Sequence, residues 1–298
     1  MLLSELAARA KSEGVSLGQM AVRLESIEAG VPAEVITAKV RSMLKVMKEA
    51  VEEGLRDPAR RSRSGLSGGD AAKVARRLTL GKCFPGNDLL ARAISYSLAV
   101  SEVNACMGKI VAAPTAGSCG IVPGTFFALK EALSLEDEAL VDALCAAGLV
   151  GQVIAEKATL SGAEGGCQAE CGSAAAMAAC GLTQMGGGTP EDCIHAAALA
   201  LKGLMGLVCD PVAGLVEIPC VKRNATSSAV AIASAEMALS GVRSFIPPDE
   251  VISAMAQVGR SIPESLRETS RGGLAATETG RSVASKFGSV SSTLDRQG

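Results

Sequence analysis

Residues 165–183 have the sequence GGCQAECGSAAAMAACGLT, an alanine-rich run that contains no proline and no aromatic residue. Alanine is the best helix former, and its small side chain lets neighbouring helices approach closely. The run therefore predicts a closely packed helix over 168–183, and the glycines before it predict a turn at Cys167.

Helical signals continue along the rest of the chain. Thr189 is followed by Pro190 and two acidic residues, which is typical of a helix start and predicts a helix over 190–207. Apolar residues recur at helical spacing in 33–56, whereas alternating strand patterns are scarce. We therefore expect an all-α, multi-helix fold. Its other helices are predicted over 2–12, 15–30, 33–56, 71–78, 89–108, 125–134, 136–157, 225–240 and 248–259.

A polar and basic stretch at 56–65 separates the first three predicted helices from the others. Such a composition is typical of a loop or hinge between packed units. The sequence therefore predicts an N-terminal helical arm over 1–60 and a main domain over 61–298. One continuous helical domain is the alternative.

The composition of the 298 residues limits the possible classes of protein. The chain is 48% hydrophobic but only 2% aromatic, so its core must be built mainly from aliphatic side chains. A net charge of −2 gives no electrostatic footprint for nucleic acid. The apolar stretches 139–155 and 194–209 contain Asp142 and Lys202, which favours buried helices over membrane spans. The N-terminus lacks the pattern of a signal peptide, so we expect a cytoplasmic protein.

Three of the ten cysteines lie in compact motifs beside turn residues. Cys167 is in GGCQAE (165–170), Cys209 opens CDPVAG (209–214), and Cys220 is in IPCVKRNA (218–225). Three soft thiolates at helix boundaries suit an iron–sulfur cluster with one iron left without a protein ligand. The alternative is that all ten cysteines are packing residues. Cys171 is a rival ligand, since four residues after Cys167 it would share a helix face.

These motifs resemble those of the alpha subunit of iron–sulfur-dependent L-serine dehydratase. The resemblance extends from about residue 60 almost to the C-terminus. It implies a cytoplasmic L-serine ammonia-lyase of amino-acid catabolism and gluconeogenesis, which converts L-serine to pyruvate and ammonia. The same resemblance is carried by AAPTAGSCGIVPG (112–124), GGLAATETG (272–280), SGLSGGDA (64–71) and SEVNA (101–105).

The resemblance also implies a mechanism. Cys167, Cys209 and Cys220 would hold a [4Fe-4S] cluster, whose open iron would act as a Lewis acid on the substrate hydroxyl. A base would remove the α-proton, and the resulting aminoacrylate would tautomerise to an imine and hydrolyse. No base is evident, because His195, the only histidine, matches no motif of the family. We expect a separate beta subunit to complete the site and supply the base.

Other site residues are predicted around these cysteines. The loop 113–120 offers hydroxyl and backbone N–H groups of the kind that bind a carboxylate, with a helix-capping loop as the alternative. For Arg223 the alternative is a surface ion pair, and for Asp210 a helix cap. The predicted substrate-binding residues are Thr115, Gly117, Ser118, Arg223, Asn224, Thr277 and Thr279. The residues predicted to surround the ligands are Gln168, Glu170 and Asp210.

Several other functions stay open at this point. An iron–sulfur lyase of the L-cysteine desulfidase type would use the same cysteines, as would a non-catalytic iron–sulfur redox or sensor protein. A pyridoxal-phosphate dehydratase would need a phosphate loop, for which residues 186–189 (GGGT) are a weak candidate without a matching lysine. A purely structural helical protein is the remaining alternative.

Overall fold

The computed structural model describes the backbone of residues 1–294 and the side chains of residues 1–287. Within the described part the chain forms thirteen α-helices and no β-strand, so the prediction of an all-α fold is confirmed. The helices are α1 Leu3–Ser12, α2 Leu17–Ala29, α3 Ala33–Arg56, α4 Asp70–Thr79, α5 Asp88–Ala105, α6 Ile121–Leu133, α7 Asp137–Lys157, α8 Gly162–Gly165, α9 Ser173–Met185, α10 Pro190–Leu204, α11 Cys220–Leu239, α12 Pro248–Ser261 and α13 Glu278–Leu294.

The alanine-rich helix α9 lies at the centre of the core. Every side chain from Ser173 to Thr183 is buried, because α6, α7, α10 and α11 all pack against this helix. One π-helical turn, Gln168–Gly172, precedes α9 and joins it to Cys167. The predicted helix over 168–183 is therefore present, but its first turn is wider than an α-helix. Such π-turns occur often at functional sites.

Glycines let the surrounding helices approach one another closely. A Cβ atom added at Gly124 in α6 would lie 2.7 Å from the backbone nitrogen of Ser97 in α5. At Gly54 in α3 it would lie 2.3 Å from the carbonyl oxygen of Ala99, also in α5. The small residues that the composition implied are thus placed where helix backbones touch.

The first three helices are part of the same core. Helix α2 packs against α7, α3 packs against α5, and α1 packs against α10 and α12. Leu17, Met20 and Met47 are fully buried by these contacts. The proposed boundary near residue 60 stays a prediction, because no observation separates an arm from a domain.

Helices α6, α11 and α13 are among the elements that differ from the sequence-based expectations. Helix α6 begins at Ile121, four residues early, with Pro123 inside its first turn, where a missing N–H costs nothing. Helix α11 begins at Cys220 itself, directly after Pro219, and not at 225. Helix α13, Glu278–Leu294, was not predicted because serines and glycines interrupt its apolar pattern.

Helix α7, Asp137–Lys157, is long and apolar enough to cross a membrane by length and composition alone. Within its most apolar window, 67% of the residues are buried inside the protein. A core helix of a soluble protein passes the same test, and α7 packs against α2, α3 and α9.

Candidate functional site

The three predicted cysteine ligands come together from three separate segments. Cys167 begins the π-turn before α9, Cys209 lies in the loop after α10, and Cys220 is the first residue of α11. Cys167 and Cys209 are buried and Cys220 is partly exposed, and all three are free thiols. Each of the other two thiols is close enough to Cys167 to be influenced by its charge.

Burial controls the protonation of this cysteine group. The pKa of Cys220 is raised to about 12, chiefly by burial and also by the nearby charges of Cys167 and Glu170. Burial also raises the pKa of Cys209 strongly. Cys167 differs, because the hydrogen bond that it shares with the Cys171 thiol lowers its pKa, and the charge of Arg223 acts in the same direction.

Gly166 and Gln168 fix the turn that carries Cys167. Gly166 has φ of +74°, and an added Cβ would lie 2.9 Å from the carbonyl oxygen of Leu207. The side chain of Gln168 donates to the carbonyl of Met255 at 3.0 Å and accepts from the N–H of Gly206 at 2.8 Å. Gln168 therefore ties the Cys167 turn to α12 and to the loop after α10.

The loop of Cys209 pairs with a segment that the sequence analysis did not single out. The N–H of Cys209 donates to Leu266 at 2.8 Å, and the N–H of Glu268 donates to the carbonyl of Cys209 at 2.8 Å. Glu268 and Ser270 adopt left-handed φ angles of +64° and +55°, which are strained for residues other than glycine. The sequence signal that could have indicated them is their position four and two residues before the glycines of GGLA (272–275).

Asp210 and Arg223 form an ion pair at 2.9 Å, in which Asp210 is buried and Arg223 is largely covered. Arg223 also donates to the carbonyl of Val208 at 2.8 Å, and Asp210 accepts from the N–H of Leu274 at 2.8 Å. The alternatives of a surface pair and a helix cap are not what the structure contains. Through these bonds Asp210 joins the Cys209 loop, α11 and the 272–276 segment.

Asn224 fastens the predicted substrate loop to α11. Its side-chain nitrogen donates to the carbonyls of Gly117 at 2.7 Å and Cys220 at 3.0 Å. Its side-chain oxygen accepts from the N–H of Gly120 at 2.8 Å. The amide is buried, and its three hydrogen-bond partners are all protein groups. Direct contact of Asn224 with substrate therefore stays a prediction, because the substrate would have to replace one of these partners.

Glu170 connects the same loop to the cysteine group. Its carboxylate accepts from the hydroxyl of Thr115 at 2.8 Å and lies 3.9 Å from the Cys209 sulfur. The Ser118 hydroxyl lies 3.1 Å from that of Thr115, and a Cβ at Gly117 would be 3.1 Å from the carboxylate. Burial raises the pKa of Glu170, and the charge of Glu268 adds to this.

The remaining candidates lie outside this arrangement. The hydroxyl of Thr277 donates to Leu274 and accepts from the N–H of Gly280, which caps the start of α13. Thr279 is exposed on the same helix. His195 accepts from the N–H of Ser244 at 3.1 Å, next to α1 and the loop before α12. The structure thus gives Thr277 a capping bond and His195 a structural bond.

The chemistry of the donor set fits a cluster better than a single metal ion. No three His, Cys, Asp or Glu side chains within residues 1–287 are close enough to hold one ion. In an iron–sulfur cubane each cysteine binds a different iron, so its ligands need not converge on one point. Two buried thiols and one partly exposed thiol on separate segments, with the Asp210–Arg223 ion pair beside them, suit that requirement.

The sequence of this chain is similar to those of known proteins. The profile of the family described as "Serine dehydratase alpha chain" matches residues 10–275. A "Probable L-serine dehydratase, alpha chain" of Bacillus subtilis is 52% identical over 244 residues, which cover 82% of this chain and 80% of that protein. The chain belongs to the serine dehydratase alpha chain family.

Other members of the family differ in length. The "L-serine dehydratase, alpha chain" of Peptoniphilus asaccharolyticus is 51% identical over 207 residues, which cover 70% of either chain. "L-serine dehydratase TdcG" of Escherichia coli is 43% identical over 182 residues, which cover 60% of this chain but only 40% of that protein. The family therefore includes proteins that are much longer than the segment they share with this chain.

Proposed function

We propose that this chain is the alpha chain of an L-serine dehydratase, which converts L-serine to pyruvate and ammonia. The observation that carries the proposal is the meeting of Cys167, Cys209 and Cys220 beside the 115–118 loop in a member of this family. A non-catalytic redox protein would not need that loop to be joined to the cysteines through Glu170.

We further propose that the three cysteines hold a [4Fe-4S] cluster. When bound, such a cluster supplies a Lewis-acidic iron that polarises a hydroxyl oxygen. The ion pair of Asp210 and Arg223 keeps the Cys209 loop in position next to the start of α11. Gln168 does the same for the turn of Cys167.

The substrate is proposed to lie between the 115–118 loop and the cysteine group. The carboxylates of Glu170 and Glu268, which influence each other electrostatically, give this side of the site a negative charge that attracts an ammonium group. The substrate carboxylate is assigned to the backbone N–H groups of the loop around Gly117. Arg223, Asn224 and Thr115 keep the loop and α11 rigid, while Thr277 and Thr279 remain weaker substrate candidates.

A companion beta chain is proposed to complete the site. Relatives of this chain are named as alpha chains, and the E. coli relative is a longer single protein. Residues 1–287 present no histidine near the cysteine group, since His195 is bonded to Ser244. We therefore assign the base that takes the α-proton to the companion chain.

Replacement of the three cysteines tests the proposal directly. We expect anaerobically purified wild-type protein to contain about four irons and four sulfides per chain, as a cubane requires. Cys167→Ser, Cys209→Ser and Cys220→Ser should each lose most of this iron, because oxygen is a poorer ligand for the cluster. Iron and sulfide analysis measures the loss.

Cys145→Ser is the matched control, since Cys145 is a buried thiol on α7 outside the cysteine group. It should keep its iron. The cluster assignment fails if Cys209→Ser retains wild-type iron or if Cys145→Ser loses as much as the others. Pyruvate release from L-serine, measured with the companion chain present, tests the reaction, and hydrogen sulfide release from L-cysteine would reveal a desulfidase instead.

A further inference from the structure

Cys171 is a buried thiol that the proposed cluster does not use. It follows Cys167 by four residues across the π-turn Gln168–Gly172, and the two sulfur atoms lie 3.4 Å apart. Both residues are at most 2% exposed, and both are free thiols. We propose that Cys167 and Cys171 form a redox modification site, which a peroxide converts to a disulfide when the cluster is absent.

The geometry allows this bond with little movement. The sulfurs must approach from 3.4 Å to bonding distance, which rotation of the side chains supplies. Cys167 cannot form the disulfide while it binds iron, so the bond can form only when the cluster is absent.

The reaction is balanced with hydrogen peroxide as the oxidant. The Cys167 sulfur attacks one peroxide oxygen, the O–O bond breaks, and water leaves with the thiol proton, so Cys167 becomes a sulfenic acid. The Cys171 sulfur then attacks the Cys167 sulfur, the S–O bond breaks, and a second water leaves with the Cys171 proton. Two electrons pass from the sulfurs to the peroxide, and one disulfide and two waters are formed.

A second thiol pair in the same protein should behave differently. Cys180 in α9 lies close enough to Cys193 in α10 for its pKa to be raised by that thiol, but both are 0% exposed in the core. Cys167, in contrast, adjoins the partly exposed Cys220 and Glu170, so a small oxidant has a route to it. Access therefore distinguishes the two pairs, which are otherwise chemically alike.

The disulfide would have two consequences for the cluster. It removes the thiolate of Cys167, so the empty site cannot take iron until a dithiol reductant opens the bond. It also stops the oxidation of Cys167 at a reversible stage, before the sulfinic acid forms. These consequences rest on the proposed ligand role of Cys167, whereas formation of the disulfide does not.

Mass spectrometry of the metal-free chain tests the bond itself. The chain is stripped of iron, treated with hydrogen peroxide, alkylated, and cleaved after glutamate. Cleavage after Glu164, Glu170 and Glu191 places Cys167 on peptide 165–170, and Cys171 together with Cys180 on peptide 171–191. We expect these two peptides to be linked in the wild type and unlinked in Cys171→Ser, which assigns the link to Cys171 and not to Cys180. Peptide 171–191 should stay unlinked to peptide 192–217, which carries Cys193 and Cys209.

Linkage of Cys167 to Cys209 or Cys220, or linkage through Cys180 in Cys171→Ser, would overturn the proposal. So would an oxidised wild type in which peptides 165–170 and 171–191 stay separate. The iron-loaded protein, treated in the same way, should give roughly tenfold less linked peptide, because the ligand thiolate is shielded.

Iron rebinding supplies the second readout. After excess peroxide and then dithiothreitol, the wild type should regain its iron, whereas Cys171→Ser should not, because Cys167 without its partner is oxidised to the sulfinic acid. Cys171→Ala repeats the test without a hydroxyl, and iron binding before oxidation shows that either variant is folded. Equal recovery in wild type and variants contradicts the protective role. Failure of unoxidised wild type to bind iron would instead contradict the proposed function.

Discussion

At the scale of single residues, Asn224 holds the site together more than any other side chain that the sequence indicated. One buried amide connects the 117–120 loop to the first turn of α11, where Cys220 lies. Asn104 in α5 holds the same loop by a single bond, to the carbonyl of Ala116 at 3.1 Å, and it is partly exposed. Comparison of the two asparagines therefore measures how much the hydrogen bonds of Asn224 contribute to the free energy of unfolding.

Asn224→Asp should destabilise the protein by about 2–4 kcal/mol, because the buried carboxylate has the same shape but cannot donate to the carbonyls of Gly117 and Cys220. Asn104→Asp should cost only about 0.5–1.5 kcal/mol, since one partly exposed bond is lost. Urea unfolding of the metal-free chain measures both. Equal stability of the two variants would contradict the assignment of Asn224 as the main hydrogen-bonded link between the loop and α11.

At the scale of helices, the fold depends on where small residues meet backbones. Gly124 in α6 touches the backbone of Ser97 in α5, so the two helices cannot lie as close with any side chain at that position. Gly148 in α7 is also in the interior of a helix, but an added Cβ there would meet nothing within 4 Å. The same substitution should therefore have opposite effects at the two positions.

Gly124→Ala should destabilise the protein by about 1–3 kcal/mol, because the extra methyl group forces α5 and α6 apart. Gly148→Ala should stabilise it by about 0.5–1 kcal/mol, because alanine loses less conformational entropy in a helix. Both free energies of unfolding are measured from urea midpoints at constant m-value. Stabilisation by both substitutions would show that the α5–α6 contact can relax without cost.

The buried carboxylate of Glu102 gives the same region a dependence on pH. It accepts from the N–H groups of Gly69, Asp70 and Ala71 at the start of α4, and burial raises its pKa. Because the folded-state pKa lies above the unfolded value, the folded chain holds the proton more tightly. The contribution to stability is complete below the unfolded pKa and is lost as the pH rises through the folded pKa.

Glu102→Gln removes this titration while it keeps one oxygen acceptor. The free energy of unfolding of the wild type should fall more than that of the variant between pH 4 and pH 7. The comparison uses urea titrations at several pH values, and Glu138→Gln, at an exposed residue on α7, serves as the control. Parallel pH curves for wild type and Glu102→Gln would contradict the raised pKa.

At the scale of the whole molecule, the first three helices and the site-bearing helices share one core. Met47 of α3 and Leu17 of α2 are buried in the same cluster as Ala174 of α9 and Val153 of α7. The backbone N–H groups of Leu3 and Ser4 donate to the carboxylate of Asp249 in α12, almost the full length of the chain away. Such contacts favour cooperative unfolding of the arm with the rest.

Calorimetry of the metal-free chain should therefore give a single transition, with a calorimetric enthalpy equal to the van't Hoff enthalpy. A chain shortened to residues 61–298 should lack this transition, because Met47 and its neighbours no longer cover α5 and α7. Two separate transitions in the full chain, one of them lost with residues 1–60, would establish the arm as an independent domain.

The sequence by itself indicated most of the helices and the family, and it supplied the candidate residues of the site. Alanine-rich runs and helix-start signals such as Thr189-Pro190 act within one or two turns, so they can be recognised locally. The motifs around Cys167, Cys209 and Cys220 are equally local, which is why a resemblance could be stated from them. Helix α13 was not predicted, because its few apolar residues form no clear helical pattern.

Only the tertiary structure decided what those residues do to one another. The pairing of Asp210 with Arg223 and the strand-like contact of Cys209 with the 266–268 segment join parts of the chain whose closeness sequence spacing does not specify. The spacing of Cys167 and Cys171 indicated a shared helix face, but not the π-turn or the 3.4 Å between their sulfur atoms. Each depends on side-chain direction and on burial, which arise from packing of the whole chain. A pattern in sequence can indicate which groups are present, but distances and charges between them exist only after the helices have assembled.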